Sequence, residues 1–215
     1  MPEELPENLT SLLRAIENRR SFPLVRLQAD RPVDRPLIEK LLEAANWAPS
    51  HGGTEPWRFT VYTGESRRAL GQAFSEAYRM ATPDGEFKQA KFDDFRDRVW
   101  SAPVWIAVAM SPALRPDGTP VRPEVEEIIA VGSAIQNLHL AASAAGLGGK
   151  WTTGSTLIDP YVAGFVGLKP PARLLGFFYL GWPKGEWPQG TRGPVADKVR
   201  WVEEVDPGSI KSLGE

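Results

Sequence analysis

Apolar positions along this chain follow two periods, and the switches between them mark out its elements. Leu9, Leu12, Leu13 and Ile16 recur at helical spacing, which predicts a first amphipathic helix ending near Asn18. From Arg19 to Pro36 the spacing is irregular and prolines stand at 23, 32 and 36, as expected of an extended loop. Asp34 fits an N-cap, with Pro36 in the first turn of a second helix. That helix has Ile38, Leu41, Leu42 and Ala45 on its inner face, and Pro49 stops it. Residues 57–63 (WRFTVYT) are aromatic and β-branched and predict a strand. Gly64 and Glu65 then turn the chain into a helix from Ser66.

The polar stretch from Ala81 to Arg98 predicts a loop and a surface helix. Residues 104–110 (VWIAVAM) are continuously apolar, the pattern of a strand covered on both faces. After a proline-rich connection, Ile128, Val131, Ala134, Ile135, Leu138, Ala141, Ala142 and Ala145 define the strongest helix of the chain. Its other side carries small residues such as Gly132 and Ser133, so it is expected at the centre, near a subunit contact. Gly146 suits the residue that ends it. A short strand through Lys150, Trp151 and Thr152, a helix from Asp159-Pro160 and a buried strand at 174–180 (LLGFFYL) complete the pattern. Strands separated by helices, often in pairs, give an α+β fold with a mixed central sheet flanked by helices. Residues 1–215 are read as a single domain, with 183–215 as a tail expected to pack on a partner subunit, for which Trp182, Trp187, Trp201 and Val202 offer apolar anchors.

Composition narrows the chemistry. The formal net charge of -2 gives no general attraction to nucleic acid or to an anionic membrane. With no cysteine, disulfides, thiolate metal sites and cysteine nucleophiles are excluded. The acidic start, Met1-Pro2-Glu3-Glu4, lacks the pattern of a signal peptide, and no apolar run reaches the roughly 20 residues of a membrane span. A cytoplasmic protein is expected. No metal-ligand or Ser/His/Asp constellation stands out, so no residue is assigned as a catalytic acid, base or nucleophile, and the chemistry is assigned to a bound cofactor.

Three islands fit such a cofactor. Arg19, Arg20 and Ser21 can fork onto a phosphate, although a basic helix end is the commoner use of such residues. Trp47 to Trp57 (WAPSHGGTEPW) forms a loop in which His51 and Thr54 offer hydrogen bonds and two glycines let the backbone bend. Gly148 to Gly154 (GGKWTTG) places glycines at a helix-to-strand turn, where backbone N–H groups could meet the polar edge of a flavin; a plain turn would use the same glycines. This is not the dinucleotide-binding glycine fingerprint, because it follows a helix. The second histidine, His139, reads as a satisfied core residue.

In this order and spacing, NRRS at 18–21, EAANWAPSHGGTEPWRF at 43–59, AAGLGGKWTTG at 144–154 and GFFYLGWP at 176–183 resemble the nitroreductase family, from about Ile16 to Val202. The resemblance implies an intertwined homodimer holding FMN at the subunit interface. It implies NAD(P)H as reductant and a nitroaromatic or quinone-like acceptor. Arg19, Arg20 and Ser21, with the tail residue Arg192, would hold the phosphate. His51 and Trp47 would approach from the other subunit, Trp151, Thr152 and Thr153 would lie along the ring, and Lys150 or an arginine would assist at its polar edge. Glu55 stands where the family often has Gln, and a carboxylate cannot donate an amide's hydrogen bonds. Gly52 and Gly53 stand where many members have Asn. The same fold also admits an FMN-dependent dehydrogenase or dehalogenase, or a flavin-storing or flavin-sensing protein.

Overall fold

The computed structural model describes residues 5–202. Its helices are α1 (Glu7–Asn18), α2 (Arg35–Asn46), α3 (Ser66–Ala81), α4 (Gln89–Asp97), α5 (Glu124–Ala144) and α6 (Pro160–Phe165). Its strands are β1 (Trp57–Thr63), β2 (Val104–Met110), β3 (Gly148–Thr152) and β4 (Arg173–Gly181), ordered β1-β2-β4-β3 and paired antiparallel. The parallel contact among the described residues is an isolated bridge between Ser21 and Gly149.

The run at 104–110 is apolar throughout because β2 is central. Val104, Ile106, Val108 and Met110 enter a core shared with α2 and α5, whereas Trp105 and Ala107 enter a second core with Phe74, Phe177 and Phe22. The sheet is thus a wall between two apolar layers. A bulge at Val108/Ala109 faces Gly176, whose φ is +133°. A Cβ on Gly176 would lie 2.4 Å from the Thr152 carbonyl oxygen and 2.8 Å from Trp151 Nε1, so its absence lets residues 151–153 close over β4.

Two expectations need adjusting. Asp34 occupies the N-cap of α2, but its side chain makes no capping bond. The proline at 36 removes one of the two amides that a cap side chain normally reaches. α5 is not buried all round: Val125 and Ile129 are 61% and 63% exposed. Its far end matches expectation. Gly146 (φ +76°) follows the helix, and the Leu147 N–H donates to the Ala142 carbonyl. α1 buries none of its residues, and Leu9, Leu12, Leu13 and Ile16 all reach the surface.

The tail lies first on its own chain. Gln28 donates to the Pro183 carbonyl at 2.8 Å, and the Lys184 N–H donates to the Arg26 carbonyl at 2.7 Å. Trp187 packs edge-on against Phe22 and donates from Nε1 to the Asn18 carbonyl at 2.6 Å. Val195, Val199, Trp201 and Val202 are exposed, and residues 203–215 of the expected tail lie outside the described residues. Among the described residues no helix is long and apolar enough to cross a membrane.

Candidate functional site

The first island is built onto the open edge of the sheet. α1 ends at Asn18, and the chain then runs beside β3: Ser21 bridges Gly149, and the Phe22 N–H donates to the Gly149 carbonyl at 3.0 Å. Phe22 is fully buried, and its carbonyl accepts from Tyr179 Oη at 3.0 Å. Burial pushes that phenol up to about 12. The segment carrying the two arginines is therefore pinned from below.

The glycines of the third island serve this docking. A Cβ on Gly148 would sit 2.7 Å from the Phe22 ring, and one on Gly149 would sit 2.8 Å from the Phe178 ring. They are bare for packing between buried rings. Strand alternation turns the Trp151 N–H to the open edge, since the Gly149 carbonyl two residues earlier points there. Lys150 is exposed, Trp151 is 36% exposed, Thr152 is half-buried and Thr153 is exposed.

Arg19, Arg20 and Arg192 line one cleft of about 560 Å³, within the range of small-molecule sites. Glu17, Gln136 and Gly190 also line it. None of the three arginines makes an ion pair among the described residues. Burial, then the charges of Arg192 and Arg20, hold the Arg19 guanidinium below its ordinary range. Arg20 donates to the carbonyls of Glu17 (2.5 Å) and Arg19 (2.7 Å), which caps α1, and its buried Nε has no partner among the described residues. Its guanidinium lies where a Cβ on Gly190 would be, so that glycine lets the tail close on the cleft. Among the described residues Arg192 donates only to its neighbour's carbonyl, that of Thr191, at 2.7 Å. Three like charges converge without a described carboxylate partner. Such an arrangement suits a phosphate, and the residues present fit the phosphate end of a flavin mononucleotide.

The second island lies at the other end of α5. His51 Nδ1 is 2.5 Å from Glu126 Oε2, and Thr54 Oγ1 donates to Glu127 Oε2 at 2.8 Å. Glu127 is 1% exposed, and its Oε1 has no partner among the described residues. Gly52 and Gly53 have positive φ, and Arg122 packs where a Cβ on Gly52 would be. Glu55 takes φ +44°, an uncommon backbone state for a residue with a side chain. Its N–H donates to Ser50 Oγ at 3.2 Å. Trp47 is 83% exposed.

Within one subunit, then, Arg19, Arg20 and Arg192 share one cleft and Ser21 beside them bridges β3 at Gly149, whereas Thr152 lines a different cleft with Tyr78 and Lys91. Trp47 and His51 do not join the arginines. His51 lines a separate cleft with Ile129 and Ser133, a helical turn along α5 from Gln136. The rise of α5 from Glu126 to Gln136 is about 15 Å. Sequence reasoning missed Glu126, Glu127 and Arg122, which grip the His51 loop, and the part played by His139. His139 is buried, as expected, yet its Nε2 lies 3.0 Å from the Arg20 carbonyl oxygen. The run of glutamates opening α5 was the available signal for the first group; for His139 there was none.

Comparison with known proteins agrees with this architecture. The family model described as "Nitroreductase family" matches residues 16–182. The chain is 30% identical over 200 residues to "Putative NAD(P)H nitroreductase YfhC" of Bacillus subtilis, covering 92% of this chain and 98% of that protein. A nitroreductase-like family protein from Bacillus cereus superposes with a TM-score of 0.76 at 27% identity, over 95% of this chain and all of that one. A "putative nitroreductase in complex with FMN" from Desulfovibrio desulfuricans gives 0.64 at 26% identity, over 95% and 99% of the two chains. With four motifs in register, a sheet of the same architecture and a family match across most of its length, this chain belongs to the nitroreductase family.

Proposed function

We propose that this protein is an FMN-dependent oxidoreductase that uses NAD(P)H to reduce an electron-poor acceptor such as a nitroaromatic or quinone. The observation that carries the reading is the meeting of Arg19, Arg20 and Arg192 in one cleft, next to Ser21 where it bridges β3 at Gly149. The relatives' names point the same way: one is called an NAD(P)H nitroreductase, and one solved neighbour holds FMN. When bound, the flavin supplies the hydride chemistry that no side chain of this protein offers.

The chain's own part is binding and electrostatics. The guanidiniums of Arg19, Arg20 and Arg192 hold the phosphate dianion by charge-assisted hydrogen bonds, and Ser21 adds its hydroxyl. The Trp151 N–H on the free strand edge, and the chain through Thr152 and Thr153, offer donors to the polar edge of the ring. Such donors favour negative charge gathering there as the ring is reduced. Lys150 adds a cation beside them. Trp151 gives an apolar flank that keeps water from one side of the site.

We further propose a homodimer joined through the exposed apolar faces of α1 and α5, with residues 195–202 extending the single domain onto the partner. Leu9, Leu12, Leu13 and Ile16 of α1 and Val125 and Ile129 of α5 are all exposed, and large apolar side chains left in such numbers on two helices suit a subunit contact. Dimerisation would also bring Trp47 and His51 of one subunit to the arginine cleft of the other, which a lone subunit keeps apart. The test is the absorption spectrum of purified protein during anaerobic NADPH addition. Flavin bands that bleach with NADPH and return with a nitroaromatic support the reading. Protein that cannot take up added FMN refutes it, and flavin unresponsive to both nicotinamides refutes the reductase part.

A further inference from the structure

His139 sits on α5 at 6% exposure, edge-on to the Phe178 ring at 5.0 Å. Filling the core would not require a polar ring there. Both of its nitrogens are in use, one on each side of the first arginine pair. Nε2 is 3.0 Å from the Arg20 carbonyl oxygen, and Nδ1 is 3.4 Å from Arg19 Nη1. The partners dictate the proton's position. A carbonyl only accepts, so Nε2 carries the hydrogen; a guanidinium only donates, so Nδ1 presents its lone pair. An imidazolium would set N–H against N–H.

We infer that neutral His139 is a positioning residue for the anion cleft, aiming the Arg19 guanidinium and fixing the Arg20 carbonyl so that both arginines face the phosphate. This rests on the flavin reading above and adds to it a residue that touches neither phosphate nor ring. Without the Nδ1 acceptor, Arg19 is left beside Arg20 and Arg192, whose charges drive it outward. Without the Nε2 donor, a carbonyl beside the β3 edge loses its partner. Burial, then the neighbouring Arg19 charge, lowers the imidazole to about 4, so the required neutral ring is the form present at pH 7. The charged groups around it are Arg19, Arg20 and, through the cleft, Arg192 and Glu17.

The test compares FMN with riboflavin, which has the same ring and no phosphate. His139→Phe keeps a flat ring and removes both polar contacts. His139→Gln keeps one donor and one acceptor. Dissociation constants are read by fluorescence titration of the apoproteins. The expected result for His139→Phe is FMN binding weakened about tenfold or more, with riboflavin binding within twofold of wild type. The Gln variant should recover most of the loss. Equal losses for FMN and riboflavin, or no loss, would overturn the inference while leaving the flavin reading intact. Wild-type protein that binds neither ligand would instead overturn the flavin reading. If the Phe variant does not fold, nitrogen NMR of the wild type decides. A neutral Nε2–H tautomer of His139 at pH 7 is expected, and an Nδ1–H tautomer or an imidazolium contradicts the assignment.

Discussion

Arg192 is the arginine whose removal separates binding from folding most cleanly. Arg20 caps α1 through two carbonyls, and Arg19 is held by His139, so truncating either disturbs the fold as well as the cleft. Arg192 is exposed, and its one hydrogen bond among the described residues is to the carbonyl of the residue before it. Its charge nonetheless reaches Arg19, where it opposes protonation. Arg192→Ala should therefore leave the apoprotein's stability within about 0.5 kcal/mol of wild type, as is usual for surface changes without a structural partner. The same change removes a charged hydrogen bond to phosphate, worth about 1.5–3 kcal/mol, or roughly a 10- to 150-fold rise in the FMN dissociation constant. Thermal melts of apoprotein and flavin-fluorescence titrations at two salt concentrations measure both quantities. Wild-type affinity should fall as salt rises, and the variant's should fall less. A variant that binds FMN as tightly as wild type would refute the phosphate assignment. One that loses more than about 1 kcal/mol as apoprotein would show that Arg192 belongs to the fold.

Further tests address the scaffold and the interface. His139 has its folded-state value depressed from 6.5 to about 4. In acid the unfolded chain therefore takes up a proton before the folded one does. Apoprotein stability should decline by about 3 kcal/mol as pH drops from 6.5 to 4, and denaturant midpoints should show this part of the slope missing in His139→Gln. Gly148→Ala drives a methyl into the Phe22 ring and should cost about 1–3 kcal/mol by overpacking, read as a lower melting temperature. Ile129→Lys, at an exposed apolar position of α5, should convert dimer to monomer in sedimentation and sharply weaken FMN retention. A dimeric Ile129→Lys protein would exclude α5 as the interface.

The fold was legible where one physical signal dominated. The run at 104–110 reads as a strand because central strands are apolar on both faces, and the sheet buries all of it. Gly146 reads as a helix end because its backbone adopts the left-handed region there. The Asp34 cap shows where local rules compete, since the proline two residues on removed a donor that the cap side chain would have met. The site was legible as islands and not as an arrangement. Arg19 and Arg192 meet because the tail follows Arg26–Gln28 and Trp187 covers Phe22, contacts between residues far apart in sequence. Gly148 and Gly149 carry the same letters whether they admit a ligand or a phenyl ring, and only packing tells the two apart. His139 gave no warning at all, because its partners are 119 and 120 positions away.

A crystal structure of the FMN-loaded protein tests the central claim most directly. The account predicts the phosphate oxygens within hydrogen-bond reach of Arg19, Arg20 and Arg192, the ring along Trp151–Thr153, and His51 arriving from the second subunit. A phosphate lodged elsewhere, with these arginines turned to solvent, would contradict it.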